Sequence, residues 1–179
     1  MLEKIPATVL AKAAQIKLAI FDVDGVLTDG RLYLDDQGVG HKAFHVHDGQ
    51  GMKMLMQTGV QIAVISSGYA TAVNHRMANL GVTDVYQGQK DKRKAFEELL
   101  RKYQLRDDQI AYVGDDLPDI PLIRRAGLGV TVPNAVPMMR EYAVWVTQIG
   151  GGLGAVREVC ELIMQSQQTY NQALQAYLE

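Results

Sequence analysis

Asp22 and Asp24, two carboxylates separated by one valine and followed at once by Gly25, are the residues whose type and spacing point most directly to chemistry. They close a short apolar run, Leu18, Ala19, Ile20 and Phe21, that reads as a buried strand, and buried strands rarely stop on paired acids without a reason. On a regular strand, residues two apart share a face, and the glycine that follows lets the backbone turn sharply away. Two crowded carboxylates raise each other's pKa unless a cation lies between them. The pair therefore points to a divalent metal, to acid–base work, or to both. Oxygen ligands without a Cys/His cluster beside them favour Mg²⁺ over zinc.

Three further stretches carry the same kind of signal. The apolar run 60–65 ends on Ser66, Ser67 and Gly68, and the run 110–113 ends on Gly114 and a second acidic cluster, Asp115, Asp116 and Asp119. Between them, Lys90, Lys92, Arg93 and Lys94 open a helical pattern that extends to about Tyr103. Cations at a helix start oppose its dipole, a local conflict expected where a lysine is placed for function.

The scaffold that must position these groups follows from periodicity. A short helix is expected at 7–14 with Pro6 at its first position, then a β-hairpin over 31–47 with arms 31–34 and 42–47 around the turn 35–38. Asp35 and Asp36 read as turn acids, and Asp29 as a structural partner of the loop around the first acidic motif. Helical spacing follows at 51–57, with Met52, Leu55 and Met56 on the buried side, and at 70–80, stopped by Gly81. Strands are expected at 82–86, 128–132 and 143–146, with a helical turn at 137–141 between the last two. A glycine-rich link at 150–154, an amphipathic helix at 155–168 and a polar tail at 169–179, expected to contact a neighbouring subunit, complete the chain. Strands alternating with helices predict one doubly wound α/β domain over 1–179, with a mainly parallel sheet. In such a sheet ligands gather at the carboxyl ends of the strands, so Asp22, Ser66 and Asp115, on three different strands, are expected to converge.

Composition narrows the classes. A chain of 179 residues has room for one good core, and a net charge of −2 with no basic stripe gives no field for nucleic acid. The single cysteine, Cys160, lies in an apolar helical pattern and is expected to be core, consistent with a reducing compartment. No apolar run approaches the ~20 residues of a membrane span. The expectation is a soluble, cytoplasmic protein without membrane or nucleic-acid partners.

The stretch Asp22-Val23-Asp24-Gly25-Val26-Leu27-Thr28-Asp29-Gly30 resembles the first motif of the haloacid dehalogenase superfamily of phosphatases, in the form typical of its capless 3-deoxy-manno-octulosonate 8-phosphate phosphatase subfamily. The resemblance extends through His45-Val46-His47-Asp48-Gly49, Tyr86-Gln87-Gly88-Gln89, Gly114-Asp115-Asp116 and Gly151-Gly152-Leu153-Gly154-Ala155-Val156-Arg157-Glu158. It implies Asp22 as nucleophile, forming an aspartyl-phosphate, and Asp24 as general acid and then base. It implies Mg²⁺ held by Asp22, the backbone carbonyl of Asp24, and Asp115, with Asp116 and Asp119 ordering those ligands. Ser66 would donate to a phosphoryl oxygen and Lys92 would bridge Asp22 and the transferring group. His45, His47, Asp48, Gly49, Lys53, Ser67, Gly68 and Arg76 are the expected substrate contacts.

Two departures bear on the substrate. The subfamily carries arginine where this chain has His47, and again where it has Gly68. Such arginines suit the carboxylate or phosphate of an acidic sugar. The resemblance thus implies a phosphorylated 3-deoxy-2-ketosugar acid of lipopolysaccharide sugar synthesis, with a nonulosonate 9-phosphate or a wider set of sugar phosphates as alternatives. With no cap domain between motifs, the site is expected to be covered by neighbours in a homo-oligomer, a tetramer as in the subfamily. A receiver-like signalling domain is the remote alternative, disfavoured because its phosphoacceptor belongs at a later strand end.

Overall fold

The protein is described by a computed structural model covering residues 5–178. Residues 1–4 and 179, part of the expected domain and tail, lie outside the described residues. Strand β1 (Leu18–Phe21) is buried at every position. Around it lie five more strands that, with β1, form one parallel sheet: β4 (Gln61–Ile65), β5 (Asp84–Tyr86), β6 (Ile110–Gly114), β7 (Leu128–Thr131) and β8 (Trp145–Val146). Their order across the sheet is β5-β4-β1-β6-β7-β8. Ile20 stands opposite Ala63 on one side and Tyr112 on the other. The strands read as continuous apolar runs because helices cover both faces.

Alternation along each strand divides the core in two. Ala19, Phe21, Val64 and Val113 face the layer of α1 (Ala7–Ala13), α2 (Val46–Gln57), α3 (Thr71–Leu80) and α7 (Ala155–Ser166). Leu18, Ile20, Ile65 and Tyr112 face α4 (Lys92–Tyr103), α5 (Ile120–Arg125) and α6 (Met139–Tyr142). From β1 the chain builds outward to β4 and β5, then returns to the other side of β1 for β6, β7 and β8. The strand order therefore reverses between β1 and β6, the place where open α/β sheets form their ligand crevice.

Several elements differ from their sequence expectation. Asp22 and Asp24 do not share a strand face: β1 ends at Phe21, and Val23–Leu27 wind into one wide helical turn with Gly25 at φ 89°. Pro6 precedes α1 as its N-cap rather than occupying its first turn. The hairpin is real but shorter, β2 (Tyr33–Leu34) against β3 (Gly40–His41). Its expected second arm instead enters α2, where His45 is the N-cap and its Nδ1 accepts from the His47 amide at 3.3 Å. Gly49 and Gly51 hid this helical turn, and both are there for space. A Cβ at Gly49 would stand 2.2 Å from the Arg76 guanidinium, and one at Gly51 would stand 2.7 Å from Cδ of Arg157. On α2 it is Met54, with Met52 and Leu55, that is buried, while Met56 is only half-buried.

The glycine-rich stretch at 150–154 is not a loose link. It packs on the turn that follows Asp22 so closely that a Cβ at Gly151 would lie 1.7 Å from the carbonyl oxygen of Gly25. The tail folds back on its own chain as α8 (Tyr170–Gln175), buries Ala173, and brings the Tyr177 hydroxyl to 2.5 Å from Nε2 of Gln50.

Candidate active site

β1 delivers Asp22 to the crevice with its amide donating to Val113 O at 3.0 Å, so the residue is anchored to β6 as well as to its own strand. The residue is 6% exposed. Beyond it the backbone must turn at once. Gly25 is required there twice over, by its positive φ and because a Cβ would stand 1.9 Å from Oδ2 of Asp115. Thr28 closes the turn, its amide donating to Val23 O at 3.0 Å.

The 150–154 strap fixes this turn from outside. Asn134, in the loop after β7, donates through Nδ2 to Gly25 O at 3.0 Å and accepts at Oδ1 from the Gly151 amide at 2.7 Å. The Gly152 amide donates to Val26 O at 2.9 Å, and the Glu158 carboxylate receives the Gln148 and Ile149 amides at 3.0 Å. Sequence reasoning missed Asn134; a lone loop asparagine gives no signal of what it ties together.

The centre of the site is an ion cluster. Lys92, the first residue of α4, donates from Nζ to Asp22 Oδ1 at 2.7 Å and to Asp119 Oδ1 at 2.6 Å, and is 4% exposed. Asp119 is saturated: Oδ1 also receives the Tyr112 hydroxyl at 2.6 Å, and Oδ2 receives the amides of Asp115 and Asp116 at 3.1 and 3.3 Å. Asp116 turns outward and accepts from the Leu117 amide at 2.7 Å. Ser66, buried at the end of β4, accepts the Gly68 amide at 3.2 Å, leaving its hydroxyl hydrogen to be donated into the cleft. Asp22, Asp24, Ser66, Ser67, Gly68, Lys92, Asp115, Asp116 and Asp119 all line one cleft of about 260 Å³.

Electrostatics mark this cluster as short of positive charge. Burial raises the Asp115 pKa to about 7, with further upward pressure from Asp22, Asp119 and Asp116. Burial and then Asp119 push Asp22 upward too, with Lys92 opposing them. Burial alone would lower the Lys92 pKa, but the two carboxylates outweigh it and hold the ammonium above its ordinary value. Asp22, Asp115 and Asp119 each have a carboxylate oxygen within 4.8 Å of the others, that of Asp119 already committed to its hydrogen bonds. Three carboxylates against one ammonium leave two negative charges, so the donor set fits a divalent, oxygen-seeking cation.

Six of the expected substrate contacts do not reach this cleft within the single chain. His45 and His47 lie at the start of α2, and Lys53 is exposed further along it. Arg76, on α3, covers Gly49. Asp48 is 1% exposed and accepts the Arg157 amide at 2.8 Å, capping the first turn of α7, whose own N-cap is a glycine. A carboxylate caps a helix start as readily as it meets a ligand, and the motif alone does not separate the two. Ser67 and Gly68 do line the cleft. Lys42, absent from the sequence expectations, reaches in from the hairpin and donates to Asp24 Oδ1.

A doubly wound sheet with an acid–lysine cluster across its switch point is the arrangement of the haloacid dehalogenase-like hydrolases, and the chain belongs to them. The model of that family, described as haloacid dehalogenase-like hydrolase, matches residues 70–150. Within it the chain falls in the family of the 3-deoxy-D-manno-octulosonate 8-phosphate phosphatases, and it is a phosphatase of that class. The phosphatase of that name from Escherichia coli K12 is 44% identical over 169 residues, 94% of this chain and 90% of the relative. The crystal structure of the Moraxella catarrhalis phosphatase, in complex with magnesium ion, phosphate ion and a KDO molecule, superimposes with a TM-score of 0.92 at 40% identity, covering 94% of this chain and 97% of that one. The cobalt-bound form of the Haemophilus influenzae phosphatase does so at 0.87 and 36% identity, with 94% and 99% covered.

Proposed function

We propose that this protein hydrolyses 3-deoxy-D-manno-octulosonate 8-phosphate in the cytoplasm, through an aspartyl-phosphate on Asp22 and with magnesium as its cofactor. The observation that carries the reading is the Lys92 ammonium bridging Asp22 and Asp119 beside Asp115, at the switch point of the sheet. Lys92 occupies Oδ1 of Asp22 and orients the carboxylate, leaving the other oxygen to attack phosphorus. As the new P–O bond forms and the bond to the sugar oxygen breaks, Asp24 gives its proton to the leaving oxygen. Asp24 then takes a proton from the water that attacks the aspartyl-phosphate, freeing inorganic phosphate and Asp22. Ser66 donates to a non-bridging phosphoryl oxygen. Asp22, Asp115 and the backbone carbonyl of Asp24 would hold the magnesium, which supplies charge neutralisation between carboxylates and phosphate.

The substrate assignment is supported by relatives at 44% identity over nearly the whole chain. The missing arginines at His47 and Gly68 favour one second reading, a broader range of sugar phosphates. Phosphate release from a panel of 3-deoxy-sugar-acid and simple sugar phosphates, with and without Mg²⁺, separates the two. A preference of less than about tenfold for the octulosonate ester would favour the broader range.

Protonation sets a pH signature for the cofactor. Because burial holds the Asp115 proton to about pH 7 in the folded state, against an ordinary carboxyl value of 3.8, the unfolded chain binds fewer protons between those values. The metal-free protein therefore loses stability as pH rises through that window, and none from this group below it. Added Mg²⁺ must displace that proton at low pH only. The rise in Tm on adding a fixed Mg²⁺ concentration is expected to be larger at pH 7.5 than at pH 5.5, and thermal melts at both values check it.

The hairpin supports an assembly reading. Leu32 is 79% exposed and Leu34 64%, beside an exposed Val39, on a two-stranded ribbon with open edges. Burial of these side chains between hairpins of a homotetramer would remove them from water. Light scattering on the wild type and on Leu32→Asp is expected to give a tetramer and a smaller species; an active wild-type monomer would refute it.

A further inference from the structure

Lys42 is the one hairpin residue with a tie to the chemistry. Residues 31–41 are exposed throughout, whereas the Lys42 side chain is 16% exposed and donates to Oδ1 of Asp24. The opposite carboxylate oxygen faces Gly68, where an added Cβ would stand 3.4 Å from Oδ2. A groove of about 460 Å³ continues from the phosphate cleft, shares Asp24 and Gly68 with it, and is lined by Arg31, His41, Lys42 and Tyr69. Arg31 and His41 are turned to their own partners, Asp29 at 3.9 Å and Asp35 at 3.5 Å. Among the described residues Lys42 is thus the only cation hydrogen-bonded to Asp24.

A carboxylate that must meet a leaving oxygen gains rate only while its side chain is held in line with that oxygen. Asp24 is 37% exposed on its side chain and has no other side-chain donor among the described residues. Gly68 offers it no side chain, so its orientation falls to the hairpin.

We propose that Lys42 is a positioning residue for leaving-group protonation, holding the Asp24 carboxyl toward the oxygen that departs from phosphorus and so coupling the hairpin to the reaction. The inference rests on the proposed roles of Asp22 and Asp24. In the step concerned, the bond from Asp22 to phosphorus forms, the bond from phosphorus to the sugar oxygen breaks, and the Asp24 proton passes to that oxygen. An alkoxide needs the proton; a nitrophenolate does not. Misplacing Asp24 therefore slows alkyl phosphates and spares aryl ones.

The experiment compares kcat/KM, which reports steps through release of the leaving group, for an alkyl sugar phosphate and for p-nitrophenyl phosphate. It uses the full-length magnesium-loaded protein and its Asp22→Asn, Asp24→Asn, Lys42→Met and Lys42→Arg variants. Lys42→Met is expected to lower the alkyl value by roughly 10- to 100-fold, part of the 10²–10⁴ a general acid supplies, and the aryl value by less than about threefold. Lys42→Arg, which keeps a cationic donor, is expected to recover most of the alkyl rate. Equal losses on both substrates would mean a merely structural lysine and would overturn the inference. If Asp24→Asn shows the leaving-group signature and Lys42→Met does not, the inference alone fails. If Asp22→Asn turns over either substrate, the underlying reading fails instead.

Discussion

Asp22→Asn is expected to lower phosphate release by a factor on the order of 10⁴ or more, because an amide oxygen is a poor nucleophile and no other carboxylate in the cleft occupies its place. Asp115 lies against Gly25, and Asp119 is committed to Lys92, Tyr112 and two backbone amides. The fold should tolerate the change. Asparagine keeps the shape and one acceptor for Lys92, and it removes the repulsion from Asp119 that helps raise the Asp22 pKa. A Tm within a few degrees of wild type together with lost turnover is the expected pair of results. Turnover within tenfold of wild type would remove Asp22 from the nucleophile's role.

Lys92→Met should damage both stability and rate. The side chain is almost wholly buried between Asp22 and Asp119, and methionine matches its length but not its charge. Removing one partner from a buried ion cluster typically costs about 3–5 kcal/mol, since the charges left behind remain desolvated. At about 2–4 °C per kcal/mol for a domain of this size, Tm should fall by about 6–20 °C. The stranded carboxyls can relieve the loss by binding protons, so the fall should be smaller at pH 5.5 than at pH 8. Added Mg²⁺ should restore part of the stability at pH 8 but little of the activity, because the donor that orients Asp22 is absent. Thermal melts at both pH values, with and without Mg²⁺, test the sign of each effect. A Tm unchanged at pH 8 would show that the cluster is not held by this lysine.

The parts of this molecule that could be read in the sequence are those where one physical demand dominates. Strands covered on both faces must be continuously apolar, so residues 18–21, 62–65 and 110–114 stand out, and the polar groups that end them have to lie along one rim. Lys92 could be singled out among four neighbouring cations only through the family motif, because a solvated lysine and a buried one are the same letter. The start of α2 was obscured because Gly49 and Gly51, depressed in helix propensity, are present to admit Arg76 and Arg157. Asp48 carried a motif position, yet its hydrogen bond runs to an amide 109 residues away, a distance that no local pattern encodes. Lys42 and Asn134 gave no warning for the same reason: each acts on a residue brought near only by the finished fold.

The contact between Gly151 and the carbonyl of Gly25 sets an order on synthesis. The turn after Asp22 leaves the ribosome ahead of the strap that shapes it, which follows about 125 residues later, roughly 6–25 s at ordinary elongation rates. Over that interval a nascent chain carries Asp22 and Asp24 without the brace that packs on their turn. Competence for phosphoryl chemistry arrives in one late step, when the 150–154 segment docks, and a chain stopped short of it would be unarmed however much of the sheet had formed.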